Sequence, residues 1–242
     1  MIAIKIENLT KHYRDVIAVD NLSLDIEAGK LVALLGINGA GKTTTIKMLS
    51  CLTKPTSGNA YLFEKSICNE SLAVKSLIAI SPQESAVAPN LTARENLKLI
   101  CGIHNFSKQK TEQKINELVA LLKIDSIIDR KAGKLSGGWQ RRLSIAMALI
   151  SEPKILFLDE PTLGLDVIAR SDLWNIIRSL KDKVTIILTT HYMEEAESLA
   201  DKIAIMASGK LLVYDTAENI KKIAKAENFE QAFITVVKGV QK

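Results

Sequence analysis

Gly36-Ile37-Asn38-Gly39-Ala40-Gly41-Lys42-Thr43 is the stretch of this chain on which the fold turns. It matches the spacing G-x-x-x-x-G-K-[ST] in full, the pattern of a loop that cradles phosphates. Glycines let the backbone turn tightly and bring N–H groups to phosphate oxygens with no Cβ in the way. Lys42 can set its ammonium between the β- and γ-phosphates, and the Thr43 hydroxyl can ligate Mg²⁺. Leu31–Leu35 just before the loop reads as an apolar strand, and Thr44–Ser50 just after it opens a helix whose N-terminal dipole favours an anion. Gly36, Asn38, Gly39, Ala40, Gly41, Lys42, Thr43 and Thr44 are therefore the candidate phosphate-contacting residues.

Outward from the loop, apolar runs recur at Leu77–Ile80, Ile155–Leu158, Val184–Thr189 and Ile203–Met206. Continuously apolar runs suit strands covered on both faces, and helical patterns between some of them predict a mainly parallel sheet with crossover helices. The stretch from Glu84 to Glu152 reads as helical throughout. Asn90 is placed to cap a helix whose first turn holds Thr92-x-x-Glu95, a capping-box spacing. A second helix carries Ile115, Leu118, Val119 and Leu122 on one face, and a third runs from Ser136 through Leu143, Met147 and Ile150. The first 30 or so residues alternate as antiparallel strands do, with Glu27-Ala28-Gly29-Lys30 as a turn between strands. An amphipathic helix is expected near Phe229–Val237.

Two further features carry chemistry. Ile155–Leu158 ends in Asp159-Glu160, and a buried strand rarely ends in adjacent carboxylates unless a cation is near. Beside a bound Mg²⁺ and a triphosphate, Asp159 would hold the metal's hydration shell and Glu160 would polarise an attacking water. In Leu135-Ser136-Gly137-Gly138-Trp139-Gln140, Ser136 can cap a helix while Gly137 and Gly138 leave its first N–H groups open to an anion. This second phosphate-seeking helix end lies roughly ninety residues beyond the first. The local residues leave open whether both address one nucleotide.

Over nearly its whole length the chain resembles the nucleotide-binding subunit of ATP-binding cassette (ABC) transporters, and Leu135–Gln140 resembles that family's signature. The resemblance implies an α/β fold: a P-loop NTPase core with a mainly parallel sheet, an N-terminal antiparallel β-subdomain and an inserted α-helical subdomain. The expected boundaries are a core over 1–83 and 153–220, a helical subdomain over 84–152 and a short helical tail over 221–242. It further implies ATP and Mg²⁺ as ligands and a head-to-tail dimer with a second cassette, identical copies being expected. Ser136, Gly137 and Gly138 of one subunit would then clasp the ATP held by the phosphate loop of the other. Tyr13 sits where the family stacks a ring on adenine. Gln83 resembles the loop glutamine that senses Mg²⁺ and the γ-phosphate. His191, about thirty residues beyond Glu160 as one βαβ unit requires, resembles the switch histidine. Lys42, Gln83, Glu160 and His191 are thus the expected catalytic set, and Thr43, Gln83 and Asp159 the metal set. Two departures stand out. Trp139 precedes Gln140 where the family places Gln directly after the glycines, and Leu163-Gly164-Leu165-Asp166 replaces the usual Ser-Ala-Leu-Asp.

Composition narrows the setting. No apolar run in the 242 residues approaches the ~20 needed to span a bilayer. Service to a membrane therefore requires docking to another chain; the resemblance implies that this is a separate transmembrane permease, with the chain expected to be cytoplasmic and peripheral on the inner face. Cys51, Cys68 and Cys101 have neither metal-ligand spacing nor an even count, as expected of free thiols in a reducing compartment. A net charge of +5 is mild, and its lysines at Lys108–Lys114 and Lys221–Lys225 are interrupted, so no nucleic acid is expected as partner. A cassette acting on ribosomes or DNA is the rival reading, though neither a second cassette nor a long coiled-coil insertion is present. A guanine-reading motif is also lacking. Asn228-Phe229-Glu230-Gln231-Ala232-Phe233 resembles the tail of cassettes serving exporters of drugs, antibiotics, peptides or lipid-linked sugars, which favours export over import.

Overall fold

A computed structural model describes residues 1–239, so the last three residues of the expected tail lie outside it. Two sheets organise the chain. The first is antiparallel in the order β2-β1-β4-β5 and contains β1 (Ile2–Tyr13), β2 (Val16–Glu27), β4 (Ser57–Leu62) and β5 (Lys65–Ser66). The second runs β10-β9-β3-β8-β7-β6. Its strands are β3 (Leu31–Leu35), β6 (Ile78–Ser81), β7 (Ile155–Asp159), β8 (Thr185–Thr190), β9 (Lys202–Ala207) and β10 (Lys210–Asp215). Its pairs are parallel except β10 on β9.

The apolar strands divide their side chains between two cores, as the period of two requires. Leu31, Ala33 and Leu35 of β3 enter one core with Leu156, Leu158, Ile186 and Leu188. Val32 and Leu34 enter the other with Phe157, Ile187 and the inward face of the antiparallel sheet. Helix α1 (Lys42–Leu49) sits in the second core through Ile46, Met48 and Leu49. Helices α6 (Val167–Leu180), α7 (Met193–Leu199), α8 (Ala217–Ala224) and α9 (Phe229–Lys238) cover the first.

Between β6 and β7 the chain is helical, as expected: α3 (Ala93–Ile103), α4 (Lys108–Leu122), two short 3-10 turns and α5 (Gly137–Leu149). Helix α5 also touches the sheet, where Ser144 Oγ lies 3.0 Å from Ser81 Oγ of β6. Helix α2 (Ser71–Leu77) precedes β6 and takes Leu77, which the strand expectation had included.

Several local expectations change. Thr92, not Asn90, caps α3: its side chain accepts from Glu95 N–H while the Glu95 carboxylate accepts from Thr92 N–H. The extended backbone needed at a cap falls on Thr92, the residue with Glu at the third helical position. Glu27–Lys30 is a turn, but it leads from β2 of one sheet to β3 of the other; Arg14 and Asp15 turn the chain between β1 and β2. Strand β4 was not foreseen, since Gly58 and Asn59 are poor strand formers.

Close backbone approaches pin the phosphate loop to both sheets. A Cβ on Gly36 would lie 2.4 Å from the Met206 carbonyl oxygen, and one on Gly41 2.5 Å from that of Ala18. In addition, Gly209 N–H donates to Ala40 O at 3.2 Å and Asp20 N–H to Gly209 O at 2.9 Å. Gly36→Ala is expected to destabilise the protein by about 1–3 kcal/mol, because backbone must shift. Gly102 is a helical glycine with open space around it, and Gly102→Ala should stabilise by roughly 0.5–1 kcal/mol. Urea unfolding of both variants checks the contrast.

Candidate active site

The loop 36–41 connects the C-terminal end of β3 to α1, with Gly39 (φ +81°) and Gly41 (φ +101°) in the left-handed region. No side chain caps α1, so the N–H groups of its first turn are open at the helix's positive end. The Lys42 side chain folds back, donating to Gly36 O at 2.7 Å and Ile37 O at 3.2 Å. Burial holds its ammonium below the usual lysine value, opposed by the charges of Glu160 and Asp159.

The acid pair lies opposite. Asp159, at the end of β7, is only 7% exposed. Its Oδ1 accepts from Thr43 Oγ1 at 3.2 Å and from the Thr189 hydroxyl of β8. Glu160 takes a left-handed φ of 46°, held there as its N–H donates to Thr189 Oγ1 at 3.0 Å. Glu160 Oε1 stands 4.0 Å from Lys42 Nζ and Oε2 stands 3.2 Å from His191 Nδ1. The imidazole contact is a close approach without hydrogen-bond alignment.

A cleft of about 680 Å³ unites most of the expected residues: Asn38 to Thr44 form its floor, and Gln83, Glu160 and His191 one wall. Val16, Ile17 and Ala18 of the antiparallel sheet form the other wall. Gly36 lies behind the floor, where its carbonyl holds Lys42. Asp159 lies behind Thr43 rather than on the surface of the cleft. Tyr13 pairs with Val16 at the cleft's mouth but does not line it, and Lys11 Nζ sits 4.9 Å from its ring centroid.

Ser136 and Gly138 line a different cleft, with Trp139, Arg142, Asp166 and Asp172. Ser136 occupies the N-cap position of α5 but makes no capping bond. The two departures from the family pattern, one in the signature and one after the acid pair, have local surroundings that the structure shows. Gln140 Nε2 donates back to Ala132 O and Leu135 O at 3.1 and 3.2 Å, fixing the approach to the helix. Trp139 packs under the Arg142 guanidinium, 4.6 Å away, which bonds Asp172 at 2.7 Å. Gly164 takes φ +74° in the loop after the acid pair, and Asp166 caps α6 through Ala169 N–H at 2.9 Å.

Three residues at the site escaped the sequence reading: Thr189, Arg141 and Glu195. Thr189 and Glu195 each bond two partners distant in the sequence, which no spacing announces. The one signal at Arg141 is a charge in an otherwise apolar helix pattern, which does not announce its partners. Glu195 is fully buried on α7. Its Oε1 accepts from Thr162 Oγ1 at 2.8 Å and Trp174 Nε1 at 3.1 Å, tying the helix after His191 to the turn after Glu160.

The arrangement can hold a triphosphate and place a water against it. A family model described as ABC transporter matches residues 19–163. The chain is 40% identical over 212 residues to the phospholipid-transporting ATPase ABCA3 of Homo sapiens, covering 86% of this chain and only 12% of that protein. It is 39% identical over 208 residues to the Nod factor export ATP-binding protein I of Burkholderia lata, covering 86% of this chain and 68% of the relative. One solved structure, a dimeric post-hydrolysis state of an ATP-binding cassette bound to ADP and Pi, superposes with a TM-score of 0.79. It shares 26% identity and covers 88% of this chain and 98% of its own.

Burial pushes the Glu195 carboxyl above its ordinary value of 4.5, against the hydrogen bonds it accepts and the charge of Arg170. The folded state therefore holds this proton more tightly than the unfolded chain. Its contribution to stability is full below that ordinary value and is lost as pH rises through the raised one. The melting temperature of the wild type relative to Glu195→Gln should therefore fall as pH rises above about 4.5. Thermal denaturation of both proteins reads this, and a difference that does not vary with pH refutes it.

Proposed function

From the premise that this chain belongs to the ABC transporter family of ATPases, we propose that it powers export of a substrate through a separate transmembrane permease. One observation carries the catalytic part: Lys42, Thr43, Gln83, Glu160 and His191 meet at one cleft although the chain spreads them from the start of α1 to the residue after β8. The exporter reading rests on the similarity to the Nod factor export protein and on the tail segment 228–233. Among the described residues no helix is long and apolar enough to cross a membrane, in keeping with a separate permease.

In this reading the phosphates of ATP lie along the open N–H groups of the loop and the first turn of α1. Phosphate oxygens are stronger acceptors for Lys42 than the loop carbonyls it bonds now, because both partners are charged. The oxygen donors Thr43 and Asp159, 3.2 Å apart beside the cleft, suit a hard cation. They would hold Mg²⁺ together with Gln83, the Asp159 carboxylate acting through the metal's hydration shell. When bound, Mg²⁺ neutralises charge on the β- and γ-oxygens. Glu160 accepts a hydrogen bond from the attacking water and orients it on the γ-phosphorus. His191, beside Glu160 Oε2, steadies the carboxylate and contacts the γ-phosphate. Tyr13, with Val16 and Ile17, offers a face for adenine at the mouth. Ser136, Gly137 and Gly138 act in trans, completing the cleft of a second, identical cassette, since within one chain Ser136 and Gly138 open onto another cleft. ATP then favours the closed dimer and its hydrolysis reopens it.

Glu160→Gln keeps the shape of the side chain and removes the charge that polarises water. ATP turnover should fall by about 10²-fold or more, while binding persists and an ATP-dependent dimer accumulates in size-exclusion chromatography. Undiminished turnover would sink the assignment of Glu160.

A further inference from the structure

Arg141 lies on α5, five residues after Ser136, and is only 4% exposed. Its guanidinium donates to three backbone carbonyls: Pro82 and Gln83 of the loop after β6, and Glu160 of the turn after β7. The bonds to Gln83 O and Glu160 O measure 2.6 and 3.1 Å. Among the described residues no carboxylate bonds it; the nearby charges that offset its burial are Asp159, Glu195 and Glu160. Burying a guanidinium against neutral carbonyls is a poor way to gain stability. Its planar fork of donors is a good way to hold separate loops in one register.

The three elements held together are those whose relative placement the chemistry needs. Glu160 has a left-handed φ, and its carbonyl is the acceptor Arg141 grips. Gln83 is exposed on a loop with no strand partner, so little besides Arg141 fixes its carbonyl. Helix α5 begins with Ser136–Gly138.

We propose that Arg141 is a positioning residue that clamps the Gln83 loop and the Glu160 turn to α5. Movement of the helix bearing Ser136–Gly138 is thereby passed to the residues that orient water and metal. This rests on the reading of the cleft as an ATP-hydrolysing site.

The test uses the full chain with Arg141→Gln, which can serve one carbonyl without charge, and Arg141→Lys, which keeps the charge but loses the fork. Steady-state ATP hydrolysis, melting temperature and amide hydrogen exchange over residues 83–88 and 160–163 are measured for each. Arg141→Gln should lower kcat about 10- to 100-fold, as misplaced groups do, with KM changed less than about threefold. Arg141→Lys should fall between it and the wild type. Exchange in the two segments should accelerate in both variants while that of β3 and β8 stays as in the wild type. Should Arg141→Gln fail to fold, Arg141→Lys carries both measurements. A folded variant with unchanged kcat, or one whose faster exchange is spread over the whole chain, overturns the proposal. A wild type that hydrolyses no ATP sinks the functional reading instead, and the exchange pattern still decides whether Arg141 clamps the two loops.

Discussion

Backbone packed directly on backbone holds the nucleotide cleft together. The phosphate loop is wedged between Ala18 of β2 and the Met206–Gly209 stretch that ends β9, at distances only glycine permits. These contacts join the antiparallel sheet to the parallel one at the point where the loop leaves β3. They also bring Val16 and Ile17 to the mouth of the cleft, so a sheet with no catalytic residue still forms one of its walls. From the other side, the Thr43–Asp159–Thr189 chain of hydroxyls and carboxylate locks α1 to the ends of β7 and β8. A loop that had to find this position on ligand binding would lose affinity to the ordering. Here the folded chain has already ordered it.

The cleft also concentrates buried charge of both signs. Lys42 and Arg141 are nearly inaccessible, and so is Asp159. Desolvating such groups costs more than their attraction returns unless each is well bonded. Lys42 settles for loop carbonyls and Arg141 for carbonyls of two other loops. Neither cation makes a close ion pair, since Lys42 stands 4.0 Å from Glu160. Incomplete pairing of this kind suits a site that receives a polyanion, because the phosphates need not displace a strong internal partner.

How much of this could be read from residues alone depended on where each partner lay. The strands at Leu31–Leu35 and Ile155–Asp159 were legible because both faces are covered, one core taking the odd positions of β3 and another the even ones. The phosphate loop and the acid pair were legible as local patterns, and His191 only through the resemblance to the family's order of motifs; the structure brings the loop, Glu160 and His191 to one cleft. Arg141 was not, since its acceptors are backbone carbonyls 59, 58 and 19 residues away, and any residue type supplies a carbonyl. Thr92 displaced Asn90 as a cap because cap choice follows the backbone angle as much as residue type. Tyr13 is a partial case: the strand that carries it reaches the cleft, but the ring stops at the rim.

Helix capping separates the two anion-seeking helix ends from the rest. Among the described residues, the helices of eight residues or more are α1, α3, α4, α5, α6, α8 and α9. Thr92, Ser107, Asp166, Thr216 and Asn228 cap α3, α4, α6, α8 and α9 through side-chain oxygens. Only α1 and α5 go without. A missing cap costs up to about 1 kcal/mol, less where Gly41 holds the position, and α5 forgoes it although Ser136 stands at the right position with the right backbone angles. Capping by Ser136 would turn its hydroxyl inward and occupy an N–H group of the first turn. Left uncapped, both helix ends present donors that a phosphate oxygen can satisfy. The Trp139 departure leaves Ser136 and both glycines in place, and its indole packs under the Arg142 guanidinium in the cleft that Ser136 and Gly138 line. The same economy explains why Gln140 turns back to Ala132 and Leu135: the approach to the helix is fixed by a side chain beyond the first turn, so that the first turn itself stays open.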